Sequence, residues 1–153
     1  DQDRQKKLLA VGEDFKLVIE RHPRSASAAR SAYYVAGALY MNGDYEKAIE
    51  YYRKGAAGRK KSAIAFLCLM GEASCQEQLK NYDKAAKIYD EVVAVYKDRY
   101  IIPTALFNLG QVLERVNRLE RAKDEYAKIV ERYGWSSWKE LAEKRILLQK
   151  NFM

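Results

Sequence analysis

Proline, glycine, cysteine and histidine are all scarce in this chain. Its 153 residues include two prolines, eight glycines, two cysteines and one histidine. So few helix breakers, together with abundant alanine, lysine, glutamate, leucine and tyrosine, favour helix over sheet. The hydrophobic content of 48% is enough for an ordered core, and the length corresponds to about one domain. We therefore expect a single all-α domain over residues 1–153.

The sequence also lacks the residue clusters that catalysis or metal binding requires. The only histidine, His22, precedes a proline at the end of a predicted helix, and we interpret it as a linker residue. Gly55 and Gly58 lack the strand–loop–helix context of a phosphate-binding loop. Cys68 and Cys75 lie two helical turns apart, too far for an intrahelical disulfide, and are interpreted as small buried hydrophobes. We predict no catalytic residue, no metal site and no cofactor.

Charge of one sign does not dominate. The 28 basic and 21 acidic residues are interleaved and give a net charge of +7. Such mixing is typical of solvated helix faces, so we expect the aspartates and glutamates to lie in water. The one tight basic run, Arg59-Lys60-Lys61, is too short to indicate a nucleic-acid or lipid partner. The longest apolar run, Ala63 to Met70, is far shorter than a membrane span, and we predict no transmembrane segment.

An internal repeat organises the residues that are present. The helix predicted from Asn81 to Tyr96 carries a large–small–aromatic–aliphatic stripe, and steps of 37 residues return that stripe in three other helices. A fixed period between about 20 and 50 residues indicates a repeat architecture. The four stripes are Leu8, Val11, Phe15 and Val18; Tyr45, Ala48, Tyr52 and Gly55; Tyr82, Ala85, Tyr89 and Val92; and Leu119, Ala122, Tyr126 and Ile129.

We predict about eight helices in antiparallel pairs. The pairs form a half repeat at 3–21, repeats at 25–57, 62–96 and 103–133, and a C-terminal capping helix at 137–150. Ser25 or Ser27, Ser62 and Asp44 are predicted to cap helices with side-chain oxygens, and Gly43 to supply a positive φ. The capping box Ser137-Trp138-Lys139-Glu140 is predicted to begin the last helix.

The third repeat carries Leu106, Leu109, Gly110, Leu113, Ala122 and Tyr126 at set spacings. At all six positions it resembles a tetratricopeptide repeat (TPR). The resemblance covers essentially the whole chain and implies an α-α superhelix, the TPR solenoid. In such a fold Ala36 and Gly110 allow close helix crossing, and Ala48, Ala85 and Ala122 receive bulky side chains.

The period of 37 exceeds the usual TPR period of about 34. This extension and the linkers at 21–29 and 131–134 are similar to those of the BamD- and YbgF-like TPR proteins of the bacterial envelope. That resemblance implies a cell-envelope assembly subunit that is periplasmic or outer-membrane-associated, with a lipid anchor upstream, as in a lipoprotein. The residues themselves name no location.

One helix, predicted from Ala63 to Leu79, departs from the pattern. A strict register of 37 residues places Glu72 and Gln76 at large apolar positions. A shift of two residues places Met70, Gly71 and Ser74 there instead. We predict the shifted register, because it leaves Glu72 in water and lengthens the turn before Tyr82 by about two residues.

The resemblance also implies a concave groove for an extended peptide or a partner's helix. The residues assigned to it are Arg30, Tyr33, Tyr40, Met41, Phe107, Gln111, Glu114 and Arg115. Aromatic side chains would supply buried area, and the two arginines would orient the partner through carboxylates. For the three aromatic residues, packing between helices is an equal alternative. Trp138 is predicted to seal the end of the solenoid, and a docking site at Trp135 and Trp138 is the alternative.

These features predict a non-enzymatic scaffold that binds a protein or peptide partner. Two alternatives stay open. One is a self-assembling module that oligomerises through its terminal helices, since solenoid ends expose apolar surface. The other is an accessory interaction domain of a larger protein.

Overall fold

The computed structural model describes residues 2–58 and 61–150, with side chains at 12–58 and 61–149. Those residues form eight α-helices and no strand. Outside the described part lie Arg59 and Lys60 of the basic run, and the side chains of Leu8 and Val11 of the first stripe. The helices are α1 (Gln2–Arg21), α2 (Ala26–Met41), α3 (Tyr45–Ala56), α4 (Ala63–Gln78), α5 (Tyr82–Val95), α6 (Ile102–Arg115), α7 (Leu119–Arg132) and α8 (Lys139–Lys150).

The prediction of an all-α fold with about eight helices is confirmed. The chain divides into two compact units, Asp1–Cys75 and Gln76–Met153, and the division falls inside α4. In the first unit α1 packs on α2 and α2 on α3. In the second unit α5 packs on α6, α6 on α7 and α7 on α8. None of the described helices combines the length and the apolarity needed to cross a membrane.

Small residues bring the helices of the first unit close together. A Cβ atom at Gly71 would lie 2.3 Å from Tyr52 Cζ, and one at Gly55 would lie 2.5 Å from Cys68 Sγ. Cys68 and Cys75 are buried free thiols, as predicted. Burial raises the pKa of Cys68 to about 12 and that of Cys75 to about 11, so both stay neutral near pH 7.

The core of the second unit is built from the repeated stripe. Ala85 and Ala122 are fully buried, as the stripe predicts. Gly110 faces the Tyr126 ring so closely that a Cβ atom would lie 2.5 Å from Cε1. The largest fully buried side chains of this unit are Tyr89, Leu106, Leu109, Leu113, Tyr126 and Ile129.

The shifted register predicted for α4 is wrong. The turn residues Gly43, Lys80 and Asn117 all have positive φ and are spaced by 37 residues, so the turn before Tyr82 is not lengthened. Glu72 is only 7% exposed, and its carboxylate accepts from Arg53 Nε at 2.8 Å. Gln76 is also buried, and its Oε1 accepts from Asn81 Nδ2 at 3.0 Å. Burial of these polar groups is tolerated because each has a partner.

The expectation that all acidic residues lie in water is therefore also wrong. Besides Glu72, the side chain of Glu125 is buried, and it accepts from Lys128 Nζ at 2.6 Å. Such a pair offsets part of the cost of removing a carboxylate from water. Glu125 belongs to α7, where its neighbours Tyr126 and Ile129 face the core.

The predicted helix caps are confirmed in two cases of three. The Ser25 and Ser62 hydroxyls accept from the N–H groups of Ala28 and Ala65 at 3.0 and 3.2 Å. The Asp44 carboxylate instead accepts from Asn42 Nδ2 at 3.0 Å and makes no bond to the helix N-terminus. Helix α8 begins at Lys139, one residue later than the capping box predicts.

Candidate functional site

The predicted groove residues fall into two sets, one on each unit. Arg30, Tyr33, Tyr40 and Met41 lie on α2, and Phe107, Gln111, Glu114 and Arg115 lie on α6. Spacings of three, four and seven residues place the members of each set along one side of their helix. Each set is therefore a local surface of its own unit.

The set on α2 combines packing with exposure. Tyr33 is half-buried, with its ring centroid 6.1 Å from that of Tyr52. Tyr40 is half-buried too, and meets Tyr45 edge-on at 5.3 Å. Met41 is 85% exposed. Arg30 is exposed and forms no ion pair with the residues that the structure describes. A cation and an exposed thioether thus accompany two partly accessible aromatic rings.

Phe107 does not belong to an exposed groove, and this part of the prediction is corrected. Its side chain is 6% exposed and lies between two aromatic rings. The Trp138 ring stacks on it at 4.8 Å, and the Tyr126 ring is tilted against it at 5.4 Å. Trp138 Nε1 also donates to Thr104 Oγ1 at 2.9 Å. Phe107 is therefore a core residue, and Trp138 covers the α6 surface that Phe107 would otherwise expose.

The remaining members of the α6 set line a cleft of about 460 Å³ in the second unit. We call it the α6 cleft; its lining residues are Glu77, Gln111, Glu114, Arg115 and Arg145. Sequence reasoning missed Glu77 and Arg145. Glu77 precedes Glu114 by one period of 37 residues, so the repeat itself contained the signal for it. Arg145 likewise follows Asn108 by one period.

Both carboxylates of the α6 cleft are already bonded within the protein. Glu114 Oε1 accepts from Arg145 Nε at 3.2 Å and from Gln149 Nε2 at 2.8 Å, and Glu114 Oε2 accepts from Arg145 Nη2. Glu77 accepts from the Tyr89 hydroxyl at 2.6 Å. Burial raises the pKa of Glu77, although the bond from Tyr89 and the charge of Arg115 act in the opposite direction.

Two hydrogen-bond donors of the cleft, in contrast to its carboxylates, are not bonded within the described residues. Arg115 and Gln111 are exposed, and neither has an ion-pair or hydrogen-bond partner among the residues that the structure describes. A guanidinium group with a nearby amide is suited to a carboxylate or to peptide carbonyl oxygens. Within the described residues, no group of three or more His, Cys, Asp or Glu could hold a metal ion.

Two protein-family models match this chain. One, described as tetratricopeptide repeat, matches residues 76–134. The other, described as anaphase-promoting complex, cyclosome, subunit 3, matches residues 16–92. With the TPR-named relatives below, these matches show that the chain belongs to the tetratricopeptide repeat family. Its fold class is the all-α TPR solenoid that the sequence predicts.

The relatives are longer than this chain. A TPR repeat-containing protein of Treponema pallidum (strain Nichols) is 28% identical over 113 residues, which are 74% of this chain and 47% of that protein. One from Methanocaldococcus jannaschii is 30% identical over 89 residues, 57% of this chain and 27% of that protein. The chain thus spans less than half the length of these curated relatives.

A solved structure shows the shared fold. A tetratricopeptide repeat protein from Parabacteroides merdae superposes with a TM-score of 0.77 at 17% identity. The match covers 97% of this chain and 56% of that one. Helical repeats of this family are generally scaffolds for other proteins rather than enzymes, and this chain shares their architecture.

Proposed function

We propose that this protein is a non-enzymatic scaffold that binds a peptide segment of a partner protein in the α6 cleft. One observation carries the proposal. Glu77 and Glu114 are bonded internally, whereas Arg115 and Gln111 are exposed without partners among the described residues. The cleft therefore offers donors and positive charge to a ligand, while its acceptors are engaged.

The chemistry of the ligand follows from these donors. The Arg115 guanidinium can donate two parallel bonds to a carboxylate, which fixes its orientation as well as its position. The Gln111 amide can bond to the backbone of an extended peptide. The α2 set would add a second, independent contact in which Tyr33 and Tyr40 supply apolar area and Arg30 a charge.

A pull-down from extract of the native cell tests the proposal. The bait with Arg115→Glu and Gln111→Ala should lose one or more captured proteins that the unmodified bait retains. The matched control is Lys87→Glu, which reverses an exposed charge on α5 outside the cleft. If the cleft variant and the control capture the same proteins as the unmodified bait, the α6 cleft is not the binding surface.

We also propose that the protein acts in a bacterial cell-envelope assembly, in the periplasm or at the outer membrane. The 37-residue period and the extended linkers support this location. Fractionation of cells that express the natural gene with a C-terminal tag provides the test. Recovery of the tagged protein in the soluble cytoplasmic fraction would refute it.

Self-association is a second candidate function, and helix α8 provides the observation that favours it. Leu141, Leu147 and Leu148 are 46%, 60% and 42% exposed, an apolar surface that a second copy would cover. Mass measurements over a range of concentrations test this candidate. A constant monomer mass would eliminate it.

A further inference from the structure

A second pocket of the second unit shares no residue with the α6 cleft. Its volume is about 250 Å³, and it lies where the end of α5 meets α6 and α7. Apolar side chains and positively charged side chains line it together, and no carboxylate is among the described residues that do so. The apolar members are Val93, Tyr96, Ile102 and Leu106, and the polar members are Lys97, Lys128, Arg132 and Tyr133.

Two of its three cations have no acidic partner. Lys128 is neutralised by Glu125, at 2.6 Å. Lys97 Nζ donates to the carbonyl oxygen of Ala94 at 2.9 Å but forms no ion pair with the described residues. Arg132 forms none with that part of the chain either. Two positive charges without an acidic partner among the described residues thus stand at a depression that apolar and polar side chains line together.

An exposed aromatic cluster continues this surface. Tyr133 lines the pocket, and its ring lies 6.5 Å from that of Trp135. The Trp135 ring meets Tyr100 edge-on at 5.2 Å, and these side chains are 47% and 70% exposed. The Arg99 guanidinium lies 4.8 Å from the Trp135 ring and 5.5 Å from the Tyr100 ring. Arg99 is thereby held by cation–π contact as a further cation beside the pocket.

We infer that this basic–aromatic surface binds an acidic peptide segment that carries one apolar anchor side chain. The pocket takes the anchor, and Lys97, Arg132 and Arg99 meet the carboxylates beside it. Apolar contact then supplies affinity, while the unpaired cations select the charge of the partner. Trp135 and Tyr100 present rigid rings at the edge, which suits protein contact at low entropic cost.

The same residues fit a single-stranded nucleic acid less well. Bases bind such proteins by stacking on open aromatic faces. Here Arg99 lies over the rings of both Trp135 and Tyr100, so a face of each ring is already in use. Of the two tyrosines that line the pocket, Tyr96 is buried and the Tyr133 ring already contacts the Trp135 ring. A peptide is therefore the ligand class that the surface favours.

Fluorescence anisotropy with a defined probe tests the inference. The probe is a fluorescein-labelled peptide with a single leucine in the middle of alternating glutamate and aspartate residues. The unmodified protein should bind it saturably, and affinity should fall as salt is added. Replacing the leucine of the probe by serine should weaken binding about tenfold, because the anchor no longer fills the pocket.

Paired charge reversals locate the site. Lys97→Glu with Arg132→Glu should weaken binding at least about tenfold, and Trp135→Ala should also weaken it. The control, Lys84→Glu with Lys87→Glu, makes the same change of net charge at exposed positions of α5 and should leave affinity unchanged. Circular dichroism confirms the fold of each variant, and Lys97→Ala with Arg132→Ala replaces the reversal if that variant unfolds.

Three results would overturn the inference. One is the absence of saturable binding to the unmodified protein, and another is an equal loss in the control, which would show non-specific attraction. The third is tighter, Lys97- and Arg132-dependent binding of a labelled oligothymidine, which would make the surface a nucleic-acid site. Arg115→Glu should leave probe binding intact. If Arg115→Glu abolishes probe binding, the peptide binds in the α6 cleft. That result would refute the second site but not the proposed function.

Discussion

The second and third repeats carry a tyrosine and a glutamate at matching positions but use them differently. Tyr89 and Glu77 precede Tyr126 and Glu114 by 37 residues each. In the second repeat the Tyr89 hydroxyl donates to Glu77 at 2.6 Å and accepts from Asn108 Nδ2 at 3.5 Å. In the third, the Tyr126 hydroxyl is buried without a partner among the described residues, and Glu114 is bonded to α8.

The difference arises from the residue that the following helix supplies. Asn108 and Arg145 are also one period apart. The Asn108 amide does not displace the Tyr89 hydroxyl from Glu77. The Arg145 guanidinium makes charge-assisted bonds to Glu114 that the neutral Tyr126 hydroxyl cannot match. Glu114 thus helps to hold α8, at the cost of an unsatisfied hydroxyl at Tyr126. The residue at the position of Asn108 and Arg145 thus determines whether the glutamate bonds to the tyrosine of its own repeat or to the following helix.

The largest expected effect tests how tightly Tyr126 is packed. Gly110→Ala should destabilise the protein by roughly 1–3 kcal/mol, because the new Cβ atom would lie 2.5 Å from the ring. The matching position of the second repeat already holds alanine, Ala73, which is buried. Urea denaturation measures the change. Reducing the ring in the Gly110→Ala, Tyr126→Leu double variant should recover part of the loss, and an unchanged midpoint in the single variant would contradict the close contact.

Arg145→Asn should convert the third repeat toward the pattern of the second. We expect a loss of about 1 kcal/mol and faster amide exchange in α8, since the bonds to a half-exposed arginine are lost. Exchange measured by mass spectrometry gives the local effect. Lys144→Asn, at an exposed position of the same helix, is the control. Equal protection of α8 in both variants would show that Glu114 does not hold this helix.

Removal of the hydroxyls of Tyr89 and Tyr126 should change stability differently in the second and third repeats. Tyr89→Phe should cost about 1 kcal/mol, because it removes a hydrogen bond to a carboxylate. Tyr126→Phe should be neutral or slightly stabilising, because its hydroxyl has no described partner to lose. Thermal denaturation of both variants tests this. In the Arg145→Asn background Tyr126→Phe should become costly, and additive effects would show that Glu114 does not reach Tyr126.

The smallest expected effect concerns the protonation of Glu77. Its pKa is raised in the folded protein, mainly by burial, so folding favours the protonated form. That contribution is fully present below the ordinary pKa of about 4.5 and is lost as pH rises through the folded value. Glu77→Gln should therefore be slightly more stable than the unmodified protein at pH 7, with no difference near pH 4. Denaturation at both pH values measures this, and a stability loss at pH 7 would contradict it.

The sequence predicts the helices and most of the core because the repeat is a local, periodic signal. Ala85, Tyr89 and Ala122 needed only their register to be placed. Two of the errors involve partners from elsewhere in the chain. The sequence pattern of α4 alone predicts Glu72 in water, because its partner Arg53 belongs to α3. The position of Phe107 in α6 predicts a groove residue, because nothing in that helix indicates that Trp138 covers it.

For the candidate site too, the sequence predicts which residues share one helix but not which residues another helix adds. Gln111, Glu114 and Arg115 share one side of α6, and that spacing places them together. Arg145 enters the cleft from α8, and its bonds to Glu114 depend on how two helices dock. A pattern within one helix cannot predict which charged groups already have an ion-pair partner. Arg115 has none among the described residues, and it is therefore the cation of the cleft that a ligand can bind.

The three turns that contain Gly43, Lys80 and Asn117 have a consequence for which changes of sequence the fold can accept. Gly43, Lys80 and Asn117 share one backbone conformation with φ of 84°, 59° and 58°, although their side chains have nothing in common. Exchange among residues that tolerate a positive φ, such as glycine and asparagine, costs little there, whereas other substitutions strain the backbone and an insertion shifts the next helix. One added residue would rotate the following helix by roughly 100° and turn Ala48, Ala85 or Ala122 away from its partner.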